Sequence, residues 1–183
     1  QGGLGWDKGQ LGTIQAIFLF LSYSIPLISG VLADQYGFKK MLIVSYILYL
    51  PGFLFLIFTK DFFLVFLIMS LIAIAAGVFK PLIAGTVRLT TDKTNQTLGF
   101  GIFYLMVNVG AFFGPMLAGA LRTISWNYAF LASAIAVGIM TLITIFFYDD
   151  PSHEVRIKDQ RFFKNIKEIF HYLKEPKILI FII

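Results

Sequence analysis

The chain has 183 residues, of which 58% are hydrophobic and only 14% are charged, and its formal net charge is +5. Soluble domains carry about 25% charged residues, and a soluble chain of this size could not bury so much apolar surface. The composition therefore excludes an ordinary soluble domain and indicates a membrane protein. Because the sequence holds no cysteine, it also excludes disulfides, thiolate nucleophiles and cysteine metal sites.

Several apolar runs are long enough to cross a bilayer, which takes about 20 residues. Five complete spans are predicted, at 11–33, 41–59, 62–87, 98–121 and 128–148. We expect them to form one transmembrane bundle over 1–148, followed by a cytoplasmic linker over 149–176 and the start of another span over 177–183. The chain opens on Gln1 and ends within an apolar run, so we expect it to be part of a longer protein.

Basic residues are distributed unevenly between the connections. Eleven of the fifteen Lys and Arg residues lie in or beside the segments 34–40, 88–97 and 149–176. Cytoplasmic connections are richer in Lys and Arg, which places these three segments in the cytoplasm. We therefore predict a multi-pass protein of the cell (inner) membrane whose first visible span runs inward, with an earlier helix bringing the chain out. The charges do not cluster with aromatics, so no nucleic-acid partner is expected.

The linker contains an amphipathic segment, "RFFKNIKEIFHYLK", at 161–174. Its apolar residues recur at helical spacing, and its charged residues take the opposite face. This pattern predicts a helix on the cytoplasmic membrane surface. We interpret it as a connection between two bundles, with a regulatory or partner-binding role as the alternative.

The segment "GVLADQYGFKK" at 30–40 joins the first two spans. Two glycines are expected to bracket a helix end and a tight turn. By itself this is an ordinary basic loop, but the whole string resembles the cytoplasmic signature of the major facilitator superfamily. The resemblance implies a conformational-switch role for four residues, Gly30, Asp34, Gly37 and Lys39. Gln35 and Phe38 stand where the signature has basic residues.

The segment "FGIFYLMVNVGAF" at 100–112 places Asn108 within the fourth predicted span. A buried amide must find hydrogen-bond partners, either on another helix or in a substrate cavity. Gly110 and Gly114 form a GxxxG pattern, so another helix is expected to approach closely. The segment resembles the signature of the proton-dependent oligopeptide transporters, which implies that Asn108 lines the peptide site.

Lys80 lies inside the third predicted span, within "GVFKP". An ionisable residue in a membrane span usually marks an ion or substrate path, although a long side chain can also extend towards the interface. Pro81 weakens the helix next to it. "Phe-Lys-Pro" resembles the fourth helix of the oligopeptide transporters, with Leu82 in place of an Asn. The resemblance implies that Lys80 works with acids and an Arg of a Glu-x-x-Glu-Arg motif on a first helix.

Further residues are expected in the wall of the same cavity. They are Tyr23, Ser22, Pro26 and Tyr104. The main substrate-binding and proton-coupling candidates are therefore Lys80, Asn108, Tyr23 and Tyr104.

Together these observations predict an all-α membrane protein with the major facilitator fold. It would be the N-terminal six-helix bundle without its first helix, followed by the linker helix. The expected activity is proton-coupled uptake of di- and tripeptides by alternating access, with short peptides, protons, the bilayer, a first helix and a C-terminal bundle as partners. The alternative is a carrier for a sugar, nucleoside or drug. We expect no enzyme, since the spans hold no convergent acids, histidines or metal set, and no cofactor beyond the proton gradient.

Overall fold

The structure, a computed structural model, describes residues 6–151. Every regular element among them is an α-helix, as predicted. The helices are α1 (Lys8–Ser24), α2 (Pro26–Tyr36), α3 (Phe38–Phe58), α4 (Phe62–Thr90), α5 (Gln96–Ile124) and α6 (Trp126–Phe147). The last four are long and apolar enough to cross a membrane. The predicted surface helix, most of the predicted linker and the span expected from 177 lie outside the described residues.

The first predicted span is broken into two helices. α1 and α2 meet at Ile25 with a bend of 40°. Pro26 has no N–H, and its ring clashes with the preceding turn, so a continuous helix is disfavoured there. The Ile25 N–H still donates to the Leu21 carbonyl at 3.0 Å, and the Ile25 carbonyl accepts from the Ser29 N–H at 2.9 Å. The single predicted helix over 11–33 is therefore two helices that share one junction residue.

α4 lies at the centre of the bundle, in contact with α1, α2, α3 and α5. Four of the five residues in its segment 73–77 are Ala or Gly, and Ala73 and Ala75 are fully buried. Three buried serines from the surrounding helices donate hydrogen bonds to carbonyls of this segment. These bonds are Ser22 to Ala73 at 3.4 Å, Ser45 to Ala75 at 2.9 Å and Ser29 to Gly77 at 3.1 Å. Small residues let helices approach, and the hydroxyls then hold them together.

Gly77 marks the closest approach between α4 and the broken span. A Cβ atom at this position would lie 2.5 Å from the Cβ of Ile25 and 3.3 Å from the Leu21 carbonyl oxygen. Both neighbouring atoms are fixed by backbone position rather than by a flexible side chain. The junction of α1 and α2 can therefore rest against α4 only because residue 77 has no side chain.

The segments 34–40 and 88–97 lie at the same end of the bundle as the start of the predicted linker at 149–151, the part of the linker that the structure describes. Phe38, at the start of α3, packs so closely on Gly85 that a Cβ there would lie 2.6 Å from the Phe38 ring. Thr86 Oγ1 and the Tyr148 hydroxyl are 2.6 Å apart. The start of α3, the last turns of α4 and the end of α6 are thus joined by direct contacts.

α5 differs from the other spans in that none of its residues is buried among the described helices. A Cβ atom at Gly110 or Gly114 would meet nothing within 4 Å. Within residues 6–151 no helix packs on this GxxxG pattern, so the close approach stays a prediction. α5 does contact α4 and α6, and it approaches α4 closely at Gly99, where a Cβ atom would lie 2.5 Å from Cγ2 of Thr91. The face that carries Gly110 and Gly114 stays open.

We expect Gly77→Ala to destabilise the full-length protein by about 1–3 kcal/mol, as overpacking does elsewhere. The new methyl group would collide with Ile25, whose Cβ cannot move without the backbone. A thermal unfolding midpoint in detergent measures the effect.

Two glycine variants serve as controls for this experiment. Gly52→Ala meets only side-chain atoms, of Ile72 and more distantly of Ile68, which can move, so a smaller loss of stability is expected. Gly138→Ala meets nothing within 4 Å and should be neutral. An equal drop in the unfolding midpoint for Gly77→Ala and Gly138→Ala would contradict the close approach of Ile25 to Gly77.

Candidate functional site

Lys80 and Tyr23 meet on the surface of the bundle. The Lys80 Nζ atom lies 4.2 Å from the centre of the Tyr23 ring. Tyr23 stands on the last turn of α1 and is 70% exposed, and Lys80 is exposed as well. Within residues 6–151 no carboxylate pairs with this ammonium group. Such a cation–π contact is worth about 0.5–1 kcal/mol when exposed and about 2 kcal/mol or more when desolvated.

Tyr104 and Asn108 form a second pair, one turn apart on α5. The Asn108 side-chain amide donates to the Tyr104 carbonyl at 2.8 Å, and both side chains are exposed. Asn108 therefore makes no interhelical hydrogen bond in the described part of the chain. One amide hydrogen and the side-chain oxygen of Asn108 remain available to a ligand.

The predicted binding residues thus come together in two separate pairs. No hydrogen bond or ring contact within residues 6–151 joins the α5 pair to Lys80 and Tyr23. Ser22, expected in the cavity wall, is fully buried and bonds to α4 instead. Its sequence neighbour Tyr23 points outwards, since consecutive residues on a helix face different directions.

The loop at 30–40 turns at Gly37. This residue has φ 92°, a conformation that costs glycine little and other residues much. Its N–H closes α2 by donating to the Ala33 carbonyl at 2.9 Å. Gly30, by contrast, lies inside α2 with open space around it. The expectation that two glycines bracket the turn is therefore correct for Gly37 only, and Asp34 lies exposed on the last turn of α2.

The beginning of α3 is capped by an acid that lies just after the end of α6. The Lys39 backbone N–H donates to Asp150 Oδ2 at 3.3 Å, and a negative charge is favourable at a helix N-terminus. Phe38, at a position where the signature has a basic residue, is buried and packs on Gly85. Apolar packing and a capping carboxylate therefore hold this loop. Sequence reasoning missed Asp150, although the acidic pair directly after the last complete span was a visible signal.

We expect Asp150→Ala to loosen the start of α3, because loss of a helix cap costs about 0.5–2 kcal/mol. Faster amide hydrogen exchange at residues 38–41 of the full-length protein would show it. Asp149→Ala is the matched control, since Asp149 is exposed and adjacent. Equal exchange in the two variants would argue against the cap.

Comparison with known proteins gives a superfamily match and similarity to peptide transporters. The model of the Major Facilitator Superfamily matches residues 1–183. The chain is 30% identical over 148 residues to the uncharacterized transporter YclF of Bacillus subtilis, covering 79% of this chain and 30% of that protein. It is 32% identical over 151 residues to the peptide transporter YePEPT of Yersinia enterocolitica, covering 78% of this chain and 29% of that protein. The chain thus spans about a third of the length of these relatives.

Among solved structures, the fold resembles the crystal structure of a peptide transporter in complex with alafosfalin. The TM-score is 0.76 at 23% identity, and the match covers 93% of this chain and 37% of that one. At this identity the likeness concerns the fold.

The family match and the apolar helices confirm several predictions. They establish a multi-pass membrane protein from a superfamily of carriers rather than enzymes, and an inner-membrane location fits the bacterial relatives. The signature loop at 30–40, the arrangement of the helices and the match over all 183 residues agree. The chain belongs to the Major Facilitator Superfamily.

Proposed function

We propose that the full-length protein is a secondary carrier that couples proton entry to the uptake of di- and tripeptides by alternating access. The observation that carries the proposal is Lys80, a cation in a membrane-spanning helix whose partner among the described residues is the Tyr23 ring rather than a carboxylate. The similarity to the peptide transporter YePEPT supports the choice of substrate.

The position of Lys80 suits an exchange of partners. An intramembrane charge is costly and calls for a counter-ion, and an ion pair in a low dielectric is stronger than a cation–π contact. Lys80 would therefore leave the Tyr23 ring when a carboxylate is presented to it. The resemblance to the oligopeptide transporters implies such an acid on a first helix.

Protonation supplies the link to the gradient. A proton bound by that acid removes its negative charge and with it the attraction for Lys80. Lys80 then returns to Tyr23, so the two protonation states favour different positions of one side chain. A ligand shifts a conformational equilibrium only through such a difference between states, and the proton would do so here.

The two pairs of candidate residues offer groups that match a short peptide. The Lys80 ammonium can bind a peptide carboxylate, and the exposed Asn108 amide can both donate to and accept from a peptide bond. In an alternating-access carrier these groups would face a site near the midplane between two bundles. We infer that Lys80 and Tyr23 bind one end of the peptide and that Asn108 and Tyr104 contact its backbone.

We expect Lys80→Ala and Lys80→Gln to abolish uptake of a labelled dipeptide driven by an imposed pH gradient in proteoliposomes. Loss of one partner of a buried ion pair costs about 3–5 kcal/mol, which corresponds to more than about 100-fold. Lys60→Gln is the control, because Lys60 is exposed in the connection between α3 and α4.

The outcomes of this experiment separate coupling from substrate choice. Gradient-driven uptake that persists in both Lys80 variants would refute the coupling role. Wild-type protein that carries a sugar, nucleoside or drug but no dipeptide would instead favour the alternative substrate class.

We expect Tyr23→Phe to retain most of the uptake and Tyr23→Leu to reduce it, since Phe keeps the aromatic face and Leu does not. The contact is worth about 0.5–2 kcal/mol, or roughly 2- to 30-fold in rate or affinity. Initial uptake rates over a range of dipeptide concentrations measure the rate and the affinity of each variant. If Phe is as impaired as Leu, the hydroxyl matters and the ring does not.

A further inference from the structure

Ser29 lies on α2, one turn after the break in the first span, and is 1% exposed. We infer that Ser29 is a positioning residue for Lys80, because its hydroxyl replaces the backbone hydrogen bond that Pro81 removes from α4. The role of Lys80 rests on the proposed function, whereas the replaced hydrogen bond does not.

The first step is the missing donor in α4. Each carbonyl in an α-helix accepts from the N–H four residues later. The Gly77 carbonyl should accept from residue 81, but Pro81 has no N–H. Gly77 is itself buried, so water does not compensate. A backbone carbonyl left without a donor inside a membrane is strongly unfavourable.

The second step is the donor that takes its place. Ser29 Oγ lies 3.1 Å from the Gly77 carbonyl oxygen. Its other contact, to the Pro26 carbonyl of its own helix, is at the limit of a hydrogen bond at 3.5 Å. The bond to Gly77 is therefore the shorter of the two and joins two helices.

The other two buried serines are in a different situation. Ser22 and Ser45 donate to the carbonyls of Ala73 and Ala75. Residues 77 and 79 follow these acceptors by four positions and both carry an N–H. These two serines therefore add a second hydrogen bond to an acceptor that has a helical donor. Ser29 alone of the three replaces a donor that proline removes.

The third step connects this bond to Lys80. Lys80 lies inside the turn from 77 to 81, so the backbone that carries it is held from α2. The same turn touches the junction of the broken span, where a Cβ at Gly77 would lie 2.5 Å from Ile25 Cβ. Tyr23 lies two residues before that junction. One contact region thus sets the positions of both Lys80 and the ring beneath it.

A double-mutant cycle tests the replaced hydrogen bond in the purified full-length protein. Ser29→Ala should lower the unfolding midpoint by on the order of 2 °C. Pro81→Ala returns an N–H to the helix, so Ser29→Ala should have almost no effect in that background. Ser45→Ala is the matched control and should cost the same with Pro or Ala at position 81. An equal cost of Ser29→Ala in both backgrounds would overturn the inference.

A second measurement tests the positioning of Lys80 without relying on transport. Reductive ¹³C-methylation labels the lysines, and the Lys80 signal is the one lost in Lys80→Arg. The Tyr23 ring should shift this signal, and Tyr23→Leu should remove the shift. We expect Ser29→Ala to move the Lys80 signal towards the position it has in Tyr23→Leu. Ser29→Thr keeps the hydroxyl, so its Lys80 signal should stay at the wild-type position.

The outcomes of the two experiments are independent of the proposed function. A Lys80 signal that does not move in Ser29→Ala would overturn the positioning role. Wild-type protein that fails to take up any dipeptide would refute the proposed function, and both the unfolding cycle and the Lys80 signal could still be measured.

Discussion

The architecture depends on hydrogen bonds from serine hydroxyls to the backbone of α4. In a bilayer the surrounding lipid is as apolar as the helices, so burial of apolar side chains contributes little to helix association. Close packing and interhelical hydrogen bonds must supply it. The small residues at 73–77 let three other helices reach the α4 backbone, and a serine from each bonds to a carbonyl there. This segment fixes where α1, α2 and α3 lie relative to α4.

The same region brings the break between α1 and α2 against the turn of α4 that Pro81 weakens. The break between α1 and α2 at Ile25 rests on Gly77, four residues before Pro81. Each proline disrupts its own helix, and the two disrupted sites contact each other. Lys80 and Tyr23 lie beside this contact. The candidate coupling residue therefore lies in the turn of α4 that lacks the backbone hydrogen bond Pro81 cannot donate and that Ser29 holds instead.

Properties that depend on one segment were predictable from the sequence. Long apolar runs located the spans, because crossing a bilayer requires length and hydrophobicity whatever the neighbours are. A charge such as Lys80 stands out in an apolar run for the same reason. The turn at Gly37 was predictable because glycine tolerates the φ it needs.

Properties that depend on which helices are neighbours were not predictable from the sequence. Ser29 and Asp150 matter through partners about 48 and 111 positions away along the chain, and a single sequence does not pair them. Asn108 was expected to find its partner on another helix or in a substrate cavity, yet within residues 6–151 its amide donates to the Tyr104 carbonyl of its own helix. The break at Ile25 was missed because hydropathy remains high through Pro26, although the proline itself was visible.

The open face of α5 has a consequence for how the protein is made. Membrane helices can enter the bilayer one by one and associate afterwards. α5 is the least apolar of the four long spans and buries no residue against the helices described here. Among the described helices its main contacts are with α4 and α6, so its membrane insertion relies mainly on its own partitioning into lipid. A charge added to α5 would act first at the translocon, on insertion and topology, while the serine-bonded helices around α4 could still assemble.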